Sequence, residues 1–458
     1  MRGCFVLRSG APPARGLRLQ TSTVDQFRRR VRLFVVCLIA VLLALPAPAR
    51  AYAVLSHEAI IDAVWETDFK PLLLNKFPQA TEEDLSQAQA YAYGGAIIQD
   101  MGYYPYGSPF FSDLTHYVRS GDFILALLRD AKDVNEYAFA AGALAHYAAD
   151  NNGHRIGTNR AVPILYPRLR KKYGDSVSYA DNPLAHVKTE FGFDVLEIAR
   201  ERYAPDSYHD FIGFEVSRPL LDQAFRETYG LELKTVLVDE GKALNSYRRD
   251  VSKLIPKATR IAWHLKQDEI KDDIPDATKR KFLFNLSRSN YEREWGKDYR
   301  KPNAGERFLT FLFKLIPKFG PLQILQFKTP TPQTERMFEA SFNATLDRYR
   351  ELLAEVREGR LDLPNDNFDV GENTGPGKYR LNDEAHAKLL GKLAELKFAD
   401  ASPQVKAELL RFFAEPDTSY ATKRNAKAWA RVQTQVQQLK SATDASAPAN
   451  SAPPAREH

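Results

Sequence analysis

Five of the nine histidines in this 458-residue chain fall between positions 57 and 186. They are His57, His116, His146, His154 and His186. A histidine and a carboxylate four positions apart lie one helical turn apart on the same face, so both can point at one ion. The chain holds two such pairs, His146 with Asp150 and His186 with Glu190, and His154 stands between them. With His57, Asp100 and His116 they form an ordered series of eight nitrogen and oxygen donors. Imidazole and carboxylate ligands without thiolate suit zinc used for hydrolysis better than a structural zinc knuckle. A lone His on an apolar helix is more often a core residue. The order and spacing of the whole set carry the argument.

The segments that must position these residues read as helices. Residues 57–65 open a short amphipathic segment. Thr81 is a candidate cap, followed by Glu82 and Glu83 in a first turn, for a helix running toward Asp100. A Gly/Pro/Tyr-rich loop covers residues 102–111. Residues 113–118 and 121–129 read as helical again. Residues 135–149 are rich in Ala and Leu, with an apolar spacing that buries the helix on several sides. Residues 163–173 and 184–200 continue the pattern. Strand alternation is scarce, so the expected fold is all-α, a multi-helix domain followed by a helical C-terminal region.

The net charge of +6 conceals an asymmetry. Residues 1–51 hold nine Arg and one Asp, which is +8, and the remainder carries 55 basic and 57 acidic residues, or −2. A mature chain so balanced has no electrostatic footprint for nucleic acid, which argues against it as a partner. Both cysteines, Cys4 and Cys37, lie in the leading segment. There Arg28, Arg29, Arg30 and Arg32 precede an apolar run from Leu33 to Leu45 that is short for a membrane span. Ala49 and Ala51 flank Arg50 as small residues at a cleavage site. The expectation is a signal peptide over 1–51, cleavage near Ala51, and export to the periplasm or beyond, with Tyr52 as the new N-terminus.

Charged, poorly periodic sequence over 265–300 suggests a boundary near residue 270. The expected units are a site-bearing domain at 52–270, a helical region of unassigned role at 271–440, and a disordered tail at 441–458. In the second unit, residues 334–358 read as one long amphipathic helix. Residues 361–380 read as loop, and 384–397 and 403–413 as further helices. The aromatic, lysine-interrupted stretch 308–319 fits either a buried helix or peripheral contact with a membrane interface. His209–Asp210 reads as a structural pair, with support of a metal ligand as the alternative, and His264 and His386 are expected to have packing or surface roles.

The run His146-Tyr147, Asp150, His154 and Asn159 resembles the signature of the bacterial zinc-dependent phospholipase C family, which is related to the fungal zinc-dependent single-strand nucleases. The resemblance covers roughly residues 52–200. It implies a helical domain holding three zinc ions. Carried over by position, Asp100, His116 and His146 would hold one ion. Asp150 would bridge it to a second, bound also by His57 and by the amine and carbonyl of the mature N-terminal residue, here Tyr52. His154, His186 and Glu190 would hold the third. Asp100 and Asp150 are the expected catalytic carboxylates. Glu190 matches the phospholipase branch, since the nucleases use Asp there. Members that favour choline lipids carry aromatics at the positions of Met101 and Asp113, so choline preference is not implied.

The chemistry such a site would perform is phosphodiester hydrolysis. Zinc lowers the pKa of bound water to about 7, which gives hydroxide near neutral pH, and two metals about 3.5–4 Å apart can clamp a phosphoryl oxygen. The expected substrate is a phospholipid, cut at its glycerophosphate ester as by a phospholipase C, or another phosphodiester. A nuclease of the same fold and a zinc-stabilised envelope-binding protein without turnover are the competing readings. The aromatic loop Tyr103, Tyr104, Tyr106, Phe110 and Phe111 is a candidate cleft lining or ordinary packing.

Overall fold

The helix Val134–Asn152 organises the molecule, and its composition explains why. Asp133 caps it by accepting a hydrogen bond from the Glu136 amide at 2.9 Å. From Tyr137 to Asp150 every residue is buried. A helix apolar on all sides belongs in the interior, and its Ala and Gly residues let neighbours approach closely. At Gly142 a Cβ would sit 2.2 Å from the Ala92 carbonyl oxygen, so only glycine admits the neighbouring helix Glu82–Gly95 at this distance. That helix starts with a capping box between Thr81 and Asp84.

The structure, a computed structural model, describes residues 54–199, 214–251, 262, 323–324, 326–414 and 426–444. Among these it is all-α, with no strand and one isolated bridge between Asn367 and Glu372. No helix among them is long and apolar enough to cross a membrane. The leading segment, Tyr52, His209, His264 and the stretch 308–319 lie outside the described residues.

Around the central helix stand Val54–Val64, Pro109–Tyr117, Ser120–Asp130 and, further along the chain, Arg218–Tyr229. The helix expected to reach Asp100 ends at Gly95, and Asp100 sits in a separate 3₁₀ turn, Ile98–Tyr103. The segment 163–173 breaks at Tyr166, because Pro167 starts a new helix and helix-forming backbone is disfavoured before proline.

The expected boundary near residue 270 does not separate two cores. The long helix Pro332–Arg357 packs on the central helix, with the Tyr349 hydroxyl donating to the Ala141 carbonyl at 2.8 Å. Phe338 stacks on Phe193 with ring centres 4.8 Å apart. One continuous apolar cluster runs from Val54 to Leu439. His386 is buried in this part, stacked on Phe412 at 3.6 Å, as expected of a packing residue. The last described helix, Ala426–Asp444, includes the first four residues of the tail whose composition points to disorder.

Candidate metal centre

Six elements bring the eight donors together. His57 comes from Val54–Val64, and Asp100 from the 3₁₀ turn. His116 lies in the last turn of Pro109–Tyr117, while His146 and Asp150 share a face of the central helix. His154 falls in the π-helical turn Gly153–Thr158 that continues it, and His186 and Glu190 lie on Pro183–Ala199. The first helix is held against the last by Asp194, whose carboxylate accepts from the Leu55 amide at 3.1 Å and the Ser56 hydroxyl at 2.8 Å. The first of these bonds satisfies an orphan amide at a helix start, and both tie the element that carries His57 to the one that carries His186 and Glu190.

Asp150 is the hub. It is fully buried, and imidazole Nε2 atoms surround it: His146 at 3.2 Å, His116 at 3.4 Å, His57 at 3.6 Å and His154 at 3.7 Å. Among the described residues, no donor other than these imidazoles reaches its oxygens. Two ligands each about 2.1 Å from a tetrahedral zinc lie about 3.4 Å apart. The spacing of His146, His116 and His57 around Asp150 is therefore that of groups sharing a cation.

The histidine tautomers point the same way. His116 Nδ1–H donates to the Ser112 carbonyl at 2.8 Å, and His146 Nδ1–H donates to the Ala96 carbonyl at 2.9 Å. A carbonyl only accepts, so in the neutral rings both Nε2 atoms carry lone pairs. Those two atoms face each other at 3.4 Å and face Asp100 and Asp150 as well. Lone pairs converging in a buried space need a cation between them. With no metal, a proton serves. Burial disfavours the charged form of His116, but hydrogen bonds and charge from Asp100 and Asp150 outweigh it and raise its pKa to about 10. Burial likewise opposes the charge on Asp150, yet His146, His116 and His154 hold its pKa well below the carboxylate range. Asp150 stays ionised.

The donors sort into three groups, each with its atoms within 4.8 Å of one another: Asp100, His116 and His146; His57, His146 and Asp150; and His154, His186 and Glu190. The first and third hold the same residues as the sets read from the sequence, whereas the second joins His57 and Asp150 to His146, which the sequence reading gave to the first ion alone. In the third, Asn159 donates through its amide nitrogen to the Asp369 carbonyl at 2.6 Å. Its oxygen therefore accepts from His186 Nε2–H at 2.8 Å, and His186 Nδ1 faces Glu190 Oε1 at 2.7 Å. The wide π-helical turn carries His154 to His186 although only four positions separate it from Asp150, and the two rings stack with centres 4.8 Å apart.

Residues 56–237 match the model of the zinc-dependent phospholipase C family. The matched segment contains seven side chains of the series downstream of His57, and His57 itself. Comparison with curated proteins and with solved structures returned no significant match.

Several residues near the donors were not legible in the sequence. Phe368 packs on His116 and His146, with ring centres 5.3 and 6.1 Å away. Tyr179 stands 5.9 Å from the His186 ring. Asp369 Oδ1 lies 3.2 Å from His154 Nε2, and its other oxygen accepts from Tyr117 at 2.8 Å and from Tyr379. Burial, then the Asp369 charge, push both phenols well above their usual pKa, so they stay protonated and donate. Of the aromatic loop, Tyr103 faces His116 across 6.3 Å, whereas Tyr104 packs on Tyr247 and Phe111 on Phe225. Asp113 is raised to about 7 by burial, against the pull of His116 and Lys388.

Proposed function

We propose that the protein is an exported zinc-dependent phosphodiesterase of the phospholipase C type, cutting the glycerophosphate ester of a phospholipid. The observation that carries the reading is Asp150, buried and ionised among four imidazoles inside a segment that matches the zinc-dependent phospholipase C family. Asp100, His116 and His146 would hold one ion, and His57 a second, with Asp150 between them. His154, His186 and Glu190 would hold a third. Zinc, when bound, supplies Lewis acidity, which brings the pKa of water toward about 7 and offsets phosphoryl charge.

The chain's own groups supply the rest. Backbone carbonyls of Ser112 and Ala96 fix His116 and His146 in one orientation. Preset donors spare the reaction the cost of assembling them. Asp150 remains an anion and so serves as a fixed charge rather than as an acid. Phe368 and Tyr103 pack beside the first group of donors, with ring centres 5.3 and 6.3 Å from that of His116. Export is supported by the arginine-led apolar segment before Tyr52.

Phospholipid is favoured over nucleic acid by Glu190 in the last donor position and by the balanced charge of residues 52–458. The test is hydrolysis by purified mature protein of phosphatidylcholine, phosphatidylethanolamine and phosphatidylinositol vesicles beside single-stranded DNA. Release of a phosphorylated head group from at least one lipid, with DNA uncut, is the expected result. Cleavage of DNA alone would replace this reading with the nuclease, and turnover of none would favour the binding protein.

A further inference from the structure

The segment 361–380 reads from its sequence as a plain connection. In the structure it is a strap laid against the metal centre and pinned there. The Tyr147 hydroxyl donates to the Pro364 carbonyl at 3.1 Å and to Asp366 at 3.0 Å. The Phe368 amide donates to the His116 carbonyl at 3.2 Å. Gly371 adopts φ +71°, and a Cβ there would lie 2.5 Å from the Asn151 carbonyl oxygen. Every one of these partners belongs to the segment matched by the family model, whereas the strap lies well beyond its end at residue 237.

We propose that Asp369 is a further positioning residue of the metal centre, orienting His154 for the third ion, so that the centre is complete only with the strap. The proposal rests on the zinc reading above. Asp369 is 2% exposed, and a buried carboxylate is costly unless its oxygens are used. Tyr117 and Tyr379 occupy Oδ2. Oδ1 is turned to His154 Nε2 at 3.2 Å. An acceptor on that side favours the proton on Nε2 and leaves the lone pair on Nδ1, which lies on the His186 side, 3.3 Å from His186 Nε2. A carboxylate behind a metal-binding imidazole fixes its tautomer and raises its basicity. The same residue reaches the second imidazole of the group. Its carbonyl holds the Asn159 amide, and the Asn159 oxygen accepts a hydrogen bond from His186 Nε2–H. One strap residue thus sets both rings.

The experiment measures the affinity of each zinc equivalent by competition with a chromophoric chelator, in the full mature chain and in Asp369→Asn. Far-UV circular dichroism in excess zinc checks the fold. The expected result is that one of three equivalents weakens by about 10–100-fold while the other two hold. Should Asp369→Asn fail to fold, Tyr379→Phe removes one hydroxyl and leaves the carboxylate, and a smaller loss of that same equivalent is expected. Three equivalents held as tightly in both variants as in the wild type would overturn the proposal and leave the zinc reading standing. A wild type that takes up no zinc would remove both.

Discussion

His116 and His146 present their Nε2 atoms to each other across 3.4 Å, each ring pinned from behind by a backbone carbonyl. Neither ring can turn away without breaking a buried hydrogen bond. Two lone pairs facing each other beside two carboxylates form a repulsive arrangement until something positive enters. The fold around them, above all the helix Val134–Asn152, buried from Tyr137 to Asp150, holds that arrangement in place.

Asp150 belongs to two ions in this account, so Asp150→Asn removes charge from both at once. It should lower zinc content by more than one equivalent and cut turnover by several orders of magnitude. Elemental analysis and steady-state rates check this. Near-normal turnover with full metal content would show that Asp150 is not the hub.

Packing should reach the site through Gly142. A methyl group there meets the Ala92 carbonyl oxygen at 2.2 Å and would push away the helix Glu82–Gly95, which leads to the Ala96 carbonyl that orients His146. Gly142→Ala should cost about 1–3 kcal/mol by overpacking. It should also weaken zinc binding although no ligand has changed. Denaturant unfolding and chelator competition measure the two effects, and unaltered zinc affinity in a destabilised variant would break the link.

The paired donors were legible because an i, i+4 spacing is local geometry: His146 with Asp150 and His186 with Glu190 follow from helix pitch alone. His57, Asp100 and His116 come from separate elements, and only their order in a family pattern tied them to the rest. Asp369 and Phe368 gave no such signal. They sit in an aperiodic Gly/Pro/Asn-rich loop whose burial comes from the tertiary fold. The all-α class was readable from periodicity. The shared core across residue 270 was not, since a charged stretch says nothing of what packs beyond it.

The pH dependence follows from His116. Its pKa in the metal-free protein, about 10, is above the 6.5 expected in an unfolded chain. Its charge therefore stabilises the fold fully below about 6.5, and that contribution is lost as pH rises toward 10. Chelated protein should melt progressively earlier from pH 7 to pH 10, and His116→Gln should flatten that slope. Zinc must displace this proton, so zinc uptake at pH 8 should release protons and tighten with pH. A slope identical in wild type and variant would contradict the assignment.

Processing should matter as well. His57 follows Tyr52 by five residues, within one short turn, and an α-amine is a metal donor only as a free terminus. Protein beginning at Tyr52 should bind zinc more fully and turn over much faster than protein with one residue added before it. Equal zinc content and equal rates would indicate a centre completed by side chains alone.

The most direct test is the metal itself. Mature protein dialysed against zinc-free buffer should retain close to three zinc ions per chain by elemental analysis. Stripping them with a strong chelator should abolish phosphodiester hydrolysis, and stoichiometric zinc should restore it. A metal-free wild-type protein that hydrolyses phospholipid at the full rate would contradict the account.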